Sequence, residues 1–256
     1  MVKFVEKIGR KTIVLIKETG IVFLMLWKVV RYLGVLWQNR HLVFTQMLEI
    51  GVKSLPLVIF VGIFAGAVAS VQTAYQLEGY ISFNYLGAAT SIAIFIELGP
   101  VLTALVAAGR VSASIAAEIG TMKVTEQLDA LQALAIDPIR YLAMPRILSG
   151  FIMIPVLTIF ADFVGILGAY VVAYLSLGLA PEIFFGSVKE FFTIMNVMSG
   201  LIKAFVFGGV TAIIGCHVGF HTEGGAEGVG KATIRAFVLS SALILLNDYL
   251  LSVLLF

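Results

Sequence analysis

The sequence predicts an all-α integral membrane protein: an N-terminal interfacial helix plus five transmembrane helices, with a short amphipathic helix between spans two and three. Three observations predict it. Of 256 residues, 60% are hydrophobic and only 12% are charged, about half the charged share of a soluble domain. A soluble fold of this size has too little interior to hide that much apolar surface. Five segments are long and apolar enough to cross a hydrocarbon core about 30 Å thick, which takes roughly 20 helical residues. Lys and Arg alternate between the connecting segments, as they do when basic loops stay on one side of a membrane. The length suits one helical bundle, a single domain over 1–256.

The first element is the basic segment 1–50. Apolar Ile13, Ile16, Phe23, Leu26, Trp27 and Val30 alternate with Lys17, Lys28 and Arg31, and Trp27 and Trp37 sit among the cations. This pattern suits a helix lying in the interface with its cations toward lipid headgroups. A sixth span is the alternative, and mid-span Lys17 and Glu18 make it costly. No small-residue cleavage site follows a clean apolar run, so no signal peptide is expected. The five spans then read as 54–72, 85–109, 147–179, 191–220 and 236–256.

Lys3, Lys7, Arg10, Lys11, Lys17, Lys28, Arg31, Arg40 and Lys53 precede span one. The next loop has no cation, the loop after span two has Arg110, Lys123, Arg140 and Arg146, the following one only Lys189, and the last Lys231 and Arg235. The N-terminus and the two basic loops are therefore expected in the cytoplasm, and the C-terminus outside. A net charge of +2 gives no case for nucleic acid. The single cysteine, Cys216, cannot form an intrachain disulfide and indicates no redox compartment.

Four ionisable residues fall within the spans: Glu97, Asp162, Lys203 and Asp248. Such groups face a bundle interior or a wet cavity and take partners. Lys203 and Asp248 lie at similar depths, roughly 12–15 Å from the outer ends of consecutive spans. An ion pair between them is expected, with a structural or a gating role. Glu97 precedes Gly99-Pro100, where a proline bends the helix and frees a carbonyl. Gly62-x-x-x-Gly66 and Gly215-x-x-x-Gly219 allow close helix approach, within or between subunits.

Two motifs read as something blander than they first look. Residues 225–231 match the first seven positions of a phosphate-binding loop, but Ala232 stands where a Mg²⁺-binding hydroxyl belongs and no strand precedes it. A Gly-rich turn opening span five is the better reading, so no nucleotide site or other cofactor is expected in this chain. His217 and His221 are spaced i, i+4 as metal ligands can be, yet no third ligand is evident. They are expected as interface residues at the inner end of span four, with no metal.

The loop 110–146 is too polar to span. In its middle Leu128, Leu131 and Leu134 share one helical face, with Lys123, Glu126, Gln127 and Asp129 largely elsewhere. Asp137-Pro138 is expected to stop this helix, and Pro145 marks the entry to span three. Such a helix can dock in a partner's groove or simply connect two spans.

The run ELGPVLTALVAAGRVSASIAAEIGTMKVTEQLDALQALAIDPIRYLAMPR, residues 97–146, resembles the signature region of the MlaE-type permeases of MCE phospholipid transport systems. GGAEGVGKATIRAFV, residues 224–238, resembles their second signature. The resemblance covers essentially the whole chain. It implies an ABC permease of a bacterial inner membrane that acts as a homodimer and maintains outer-membrane lipid asymmetry. Its partners would be a cytoplasmic ABC ATPase, a periplasmic MCE-domain lipid-binding protein and a STAS-domain regulator. The loop 112–146 would carry the coupling helix, with Glu118, Lys123, Glu126, Gln127, Asp129 and Leu131 as ATPase-coupling residues. A phospholipid cavity between the two copies would be lined by spans one, two and five. Phe64, Tyr75, Leu77, Tyr80, Phe95, Glu97 and Leu98 are candidates for its wall, although aromatics at span ends also serve as plain interfacial anchors. Two rivals stand beside this reading. One is a proton-coupled secondary carrier using Glu97, Asp162 and Asp248. The other is an intramembrane enzyme, for which neither H-E-x-x-H nor G-x-S-x-G is present. No catalytic residue is expected.

Overall fold

Apolar helices dominate because a chain in lipid must satisfy its backbone polar groups internally. The computed structural model describes the backbone of residues 2–32, 34 and 39–255, and the side chains of residues 13, 16–32, 34 and 39–255. Trp37 and the side chains of Lys3, Lys7, Arg10 and Lys11 lie outside the described residues. Among the described residues all regular structure is helical: α1 (Val2–Tyr32), α2 (Arg40–Ile50), α3 (Leu55–Leu77), α4 (Leu86–Ala93), α5 (Gly99–Ala107), α6 (Ala113–Val124), α7 (Gln127–Ala133), α8 (Met144–Leu177), α9 (Pro181–Glu190), α10 (Ile194–Phe220) and α11 (Gly225–Leu255). Five continuous helical stretches are long and apolar enough to cross a membrane: Arg40–Leu77, Phe83–Val124, Ile139–Leu177, Ile194–Phe220 and Gly225–Leu255. The α1 helix is not one of them.

The spans run further than composition indicates. The segment 40–53 joins span one through α2 and a tight turn, and Ser149 Oγ donates to the Val43 carbonyl at 3.0 Å to hold it on α8. Residues 40–50 therefore belong to the first span's helical stretch and not to a separate N-terminal segment. Likewise the loop read as 110–146 is helical to Val124 and again from Ile139, and only the 14 residues 125–138, with α7 among them, connect the two spans. Polar side chains end a hydrophobic window, but they do not end a helix whose backbone bonds are still made.

Span two changes pitch twice, through π-helical turns at Ile94–Leu98 and Ala108–Ser112. The first has a visible cause. Pro100 has no N–H to give to the Ile96 carbonyl, so the ladder before it re-registers. The bend expected at Gly99-Pro100 is thus a π turn directly before it, and it contains Glu97.

The bundle is closed by small residues. A methyl group at Gly66 would run into the Gly165 backbone, and one at Gly150 would sit 2.7 Å from the Gly208 carbonyl oxygen. Gly215 and Gly219 meet Ile115 and Ile119 of α6 in the same way. Both GxxxG stripes therefore serve contacts within this chain, α3 on α8 and α10 on α6. One large core of Val58, Ile115, Ile119, Met144, Ile147, Ile154 and Leu157 fills the space between α3, α6, α8 and α10. A second, around Leu86, Ile94 and Phe184, sits at the α9 end.

Candidate functional site

Two sites stand out, one inside the bundle and one at the end of the molecule that carries α1 and α7, here called the basic end. Inside, Lys203 of α10 has no exposed surface. Its ammonium donates to Glu97 Oε1 at 2.5 Å and to Ser252 Oγ at 2.8 Å, and stands 3.0 Å from Asp248 Oδ1. Ser252 Oγ in turn donates to Glu97 Oε1 at 3.1 Å. Asp248 and Ser252 are one helical turn apart on α11, so they present oxygens on one face. The π turn delivers Glu97 to the same point. Spans two, four and five are thereby tied by one cation. The Lys203–Asp248 pair expected from depth is present, while Glu97 and Ser252 are partners that depth alone did not supply. Glu97 remains 43% exposed and Asp248 21%, so the cluster has one open side.

Asp162 of α8 stands apart. It is buried, its Oδ1 occupies the space that a side chain at Gly99 would take, and that oxygen has no hydrogen-bond partner among the described residues.

The residues named as a lipid wall fall on different surfaces. Phe64 and Tyr75 are exposed on α3, with the Phe64 ring 4.9 Å from that of Phe60, and Tyr80 is exposed in the turn that follows. Leu77 and Leu98 pack against the core at the α9 end. Phe95 meets Phe192 edge to face at 6.0 Å, and Glu97 turns to Lys203.

At the basic end, Glu118 Oε2 accepts from buried Arg146 at 2.8 Å, which clamps α6 to the start of α8. Lys123 lies 3.6 Å from Asp129 and holds α7 to α6. Glu126 makes the turn between them with φ of 59°, and Ala135 ends α7 region with the same φ. Leu128 is buried and Leu131 half-buried, while Gln127 and Asp129 face outward. Leu134 does not share the docked face as its spacing suggests: α7 stops at Ala133, and Leu134 is 72% exposed. Asp137 does not stop this helix either. Its Oδ1 accepts from the Ile139 N–H at 2.8 Å and so opens the next span, and its Oδ2 accepts from the Tyr32 hydroxyl at 2.6 Å. That hydrogen bond holds the Tyr32 phenol above its usual range. Arg110, read from sequence as the first loop residue, is half-buried in a π turn and donates to Ser54 Oγ at 2.6 Å and the Glu49 carbonyl at 3.1 Å.

His217 and His221 stack at 4.6 Å between ring centroids. His217 Nε2 is 2.7 Å from Glu18 Oε2, and His221 Nδ1 is 2.7 Å from the His217 carbonyl. The hydrogen bond with His217 sets the Glu18 carboxyl below the ordinary glutamate value. The pair is thus an interface between α10 and α1. Residues 225–231 form the first turns of α11 after Gly224 and Gly225 at positive φ, and the Lys231 side chain is exposed beside Glu227 at 2.6 Å.

Sequence comparison adds what geometry cannot. A family model described as "Permease MlaE" matches residues 43–254. The chain is 43% identical over 215 residues to a probable ABC transporter permease protein of Rickettsia typhi, covering 84% of this chain and 83% of that one. It is 42% identical over 218 residues to a probable ABC transporter permease protein of Synechocystis, covering 85% and 83%. It is 31% identical over 257 residues to the intermembrane phospholipid transport system permease protein MlaE of Haemophilus influenzae, covering 100% and 98%.

Proposed function

The chain belongs to the MlaE permease family, the permeases of ABC transporters, and from that premise we propose that it moves phospholipid in an ATP-driven complex of a bacterial inner membrane. The observation that carries this reading is the end-to-end likeness to a permease named for intermembrane phospholipid transport. In this reading the basic end faces the cytoplasm, with α1 on the membrane surface and the C-terminus of the chain outside. The motor is a separate ATPase, and α7 with its exposed Gln127 and Asp129, together with Leu134 just beyond it, receives it. A second copy of the chain completes the lipid cavity. The exposed apolar row Leu246, Leu250, Val253 and Leu254 on α11 offers a surface for lipid or for that copy. A periplasmic MCE-domain protein and a STAS-domain protein complete the assembly. Against the proton-carrier alternative stands the engagement of Glu97 and Asp248 with Lys203, while Asp162 Oδ1 makes no hydrogen bond among the described residues.

The test is reconstitution of the purified complex in liposomes with a fluorescent phospholipid. Lipid movement that needs ATP hydrolysis supports the reading. Movement driven by a proton gradient through the chain alone would replace it with the carrier. In the same system Glu126→Lys with Asp129→Lys is expected to weaken ATPase co-purification while the permease keeps its helical content. Unchanged association and transport would remove α7 from the coupling role.

A further inference from the structure

The loop 125–138 joins spans two and three directly, whereas spans four and five follow it in the chain only beyond α8 and α9. Any movement started there must reach Lys203 on α10 by contact. Beside the direct packing of α6 and α8 on α10, the described residues contain a second physical bridge between the two. One face of α1 carries Glu18, Met25, Val29 and Tyr32, at spacings of 7, 4 and 3 residues that keep all four within an arc of about 60° around a helix of 3.6 residues per turn. Met25 and Val29 are 5% and 4% exposed, inserted in the main core beside Leu142. The two ends of this face are polar and directional. Tyr32 binds the loop through Asp137, and Glu18 binds the far end of α10 through His217. The opposite face, with Phe23, Leu24, Trp27 and Val30, is exposed.

We propose that α1 is a strut that carries movement of the loop 125–138 to the end of α10, with Tyr32 and Glu18 as its two positioning residues. The proposal rests on the ABC-permease reading for its purpose, and on geometry for its mechanics. The two anchors are 14 residues apart, so the strut is about 21 Å long. A helix transmits displacement along its axis because its backbone bonds resist stretching, and packed cores shift between discrete arrangements rather than deforming smoothly. Hydrogen bonds at both ends fix rotation as well as position, which apolar packing by Met25 and Val29 alone does not do. From His217 the line continues along α10 for another 14 residues, about 21 Å, to Lys203. There it meets Glu97 of span two and Asp248 of span five. Spans four and five thereby gain a route to the loop beside the packing of α6 and α8 on α10, and an interfacial helix acquires a mechanical role beside membrane attachment.

The experiment uses the full chain in lipid nanodiscs, and the complex with its ATPase. Glu18→Gln removes the charge and keeps the shape, and Tyr32→Phe removes only a hydroxyl. Amide hydrogen exchange is read at the distant end in each case. Glu18→Gln is expected to speed exchange in residues 125–138, and Tyr32→Phe in residues 214–221, each by about fivefold, the factor that one hydrogen bond contributes to a local opening equilibrium. The swapped pair Glu18→His with His217→Glu is expected to restore the slow rate. An effect confined to the residues beside each substitution, or no restoration by the swap, would overturn the strut. In the complex, the double variant Glu18→Gln with Tyr32→Phe is expected to hydrolyse ATP at the wild-type rate and to move severalfold less lipid per ATP. Wild-type protein that hydrolyses ATP and moves no phospholipid would sink the phospholipid reading alone, since the exchange measurement decides the strut independently.

Discussion

Lys203 concentrates the cost and the benefit of a charge in a membrane bundle. An ammonium taken wholly out of water must be matched on each donor, and here Glu97, Ser252 and Asp248 surround it. Removing the cation leaves two carboxylates facing each other across spans two and five. Lys203→Met is therefore expected to lower stability by about 3–5 kcal/mol, the range for breaking a buried pair, read as a fall in thermal midpoint in detergent. The triple change Glu97→Gln, Lys203→Met, Asp248→Asn is expected to recover most of that loss, because it leaves no charge unpaired. A single variant as stable as the triple would show that water enters from the open side of the cluster and screens the acids. Asp162 obeys the opposite logic. Its Oδ1 is buried without a partner, so Asp162→Asn is expected to leave the midpoint unchanged or raised. A loss of transport at unchanged stability would then mark the acid itself as functional. Half of this cluster was legible in the sequence: helix length and antiparallel order predict that residues 203 and 248 lie at one depth. Glu97 was not, because the π turn before Pro100 adds a residue to the turn and rotates it away from its α-helical direction.

At the scale of elements, the number of spans was legible and their ends were not. Hydropathy reports where lipid can be, and it stops at Arg110. The helix continues to Val124 because the carbonyls and N–H groups there still pair, and because Arg146 and Glu118 bind each other across α6 and α8 at 2.8 Å. The true connector, 125–138, is bounded by backbone geometry that no periodicity announces: Glu126 and Ala135, neither a glycine, both adopt positive φ. Glycine spacing predicted close helix contacts but left open whether they were internal. The answer comes from what a methyl would strike. At Gly208 it would run into the Gly150 carbonyl, with Ile154 Cβ at 2.9 Å. Backbone cannot move aside as a side-chain tip can, so Gly208→Ala is expected to cost about 1–3 kcal/mol, as overpacking does. Gly230→Ala, with open space around it, should be neutral or slightly stabilising through helix propensity. Thermal unfolding of the two variants side by side checks the pair, and equal midpoints would refute the packing argument.

Over the whole molecule, stability has two sources that respond differently to solvent. The bundle core is built of apolar side chains and is insensitive to pH outside its few charges. The attachment of α1 is different, because its end contacts are made by titrating groups. Glu18 faces His217 and His221 on α10 and Arg235 on α11. Its carboxyl is held below the ordinary value of 4.5, chiefly by the hydrogen bond with His217. The docked state therefore favours the carboxylate. Its contribution is fully present above about pH 4.5 and is lost as pH falls through the depressed value. Tyr32 works in the other direction. Its phenol is raised above 10.0, chiefly because it donates to Asp137, so docking favours the protonated form. That contribution is present below about pH 10 and is lost as pH rises through the raised value. Hence α1 should loosen at both extremes, through different residues. A spin label at Leu24→Cys in a Cys216→Ala background reports this, since Leu24 is exposed on the undocked face. Label mobility is expected to rise on the acid side in wild type and on the alkaline side too. Glu18→Gln should remove the acid step alone, and Tyr32→Phe the alkaline step alone. An acid step that survives Glu18→Gln would assign the loosening to another group. Flat mobility in wild type would mean that Met25 and Val29, buried at 5% and 4% exposure, hold the helix without help from either anchor.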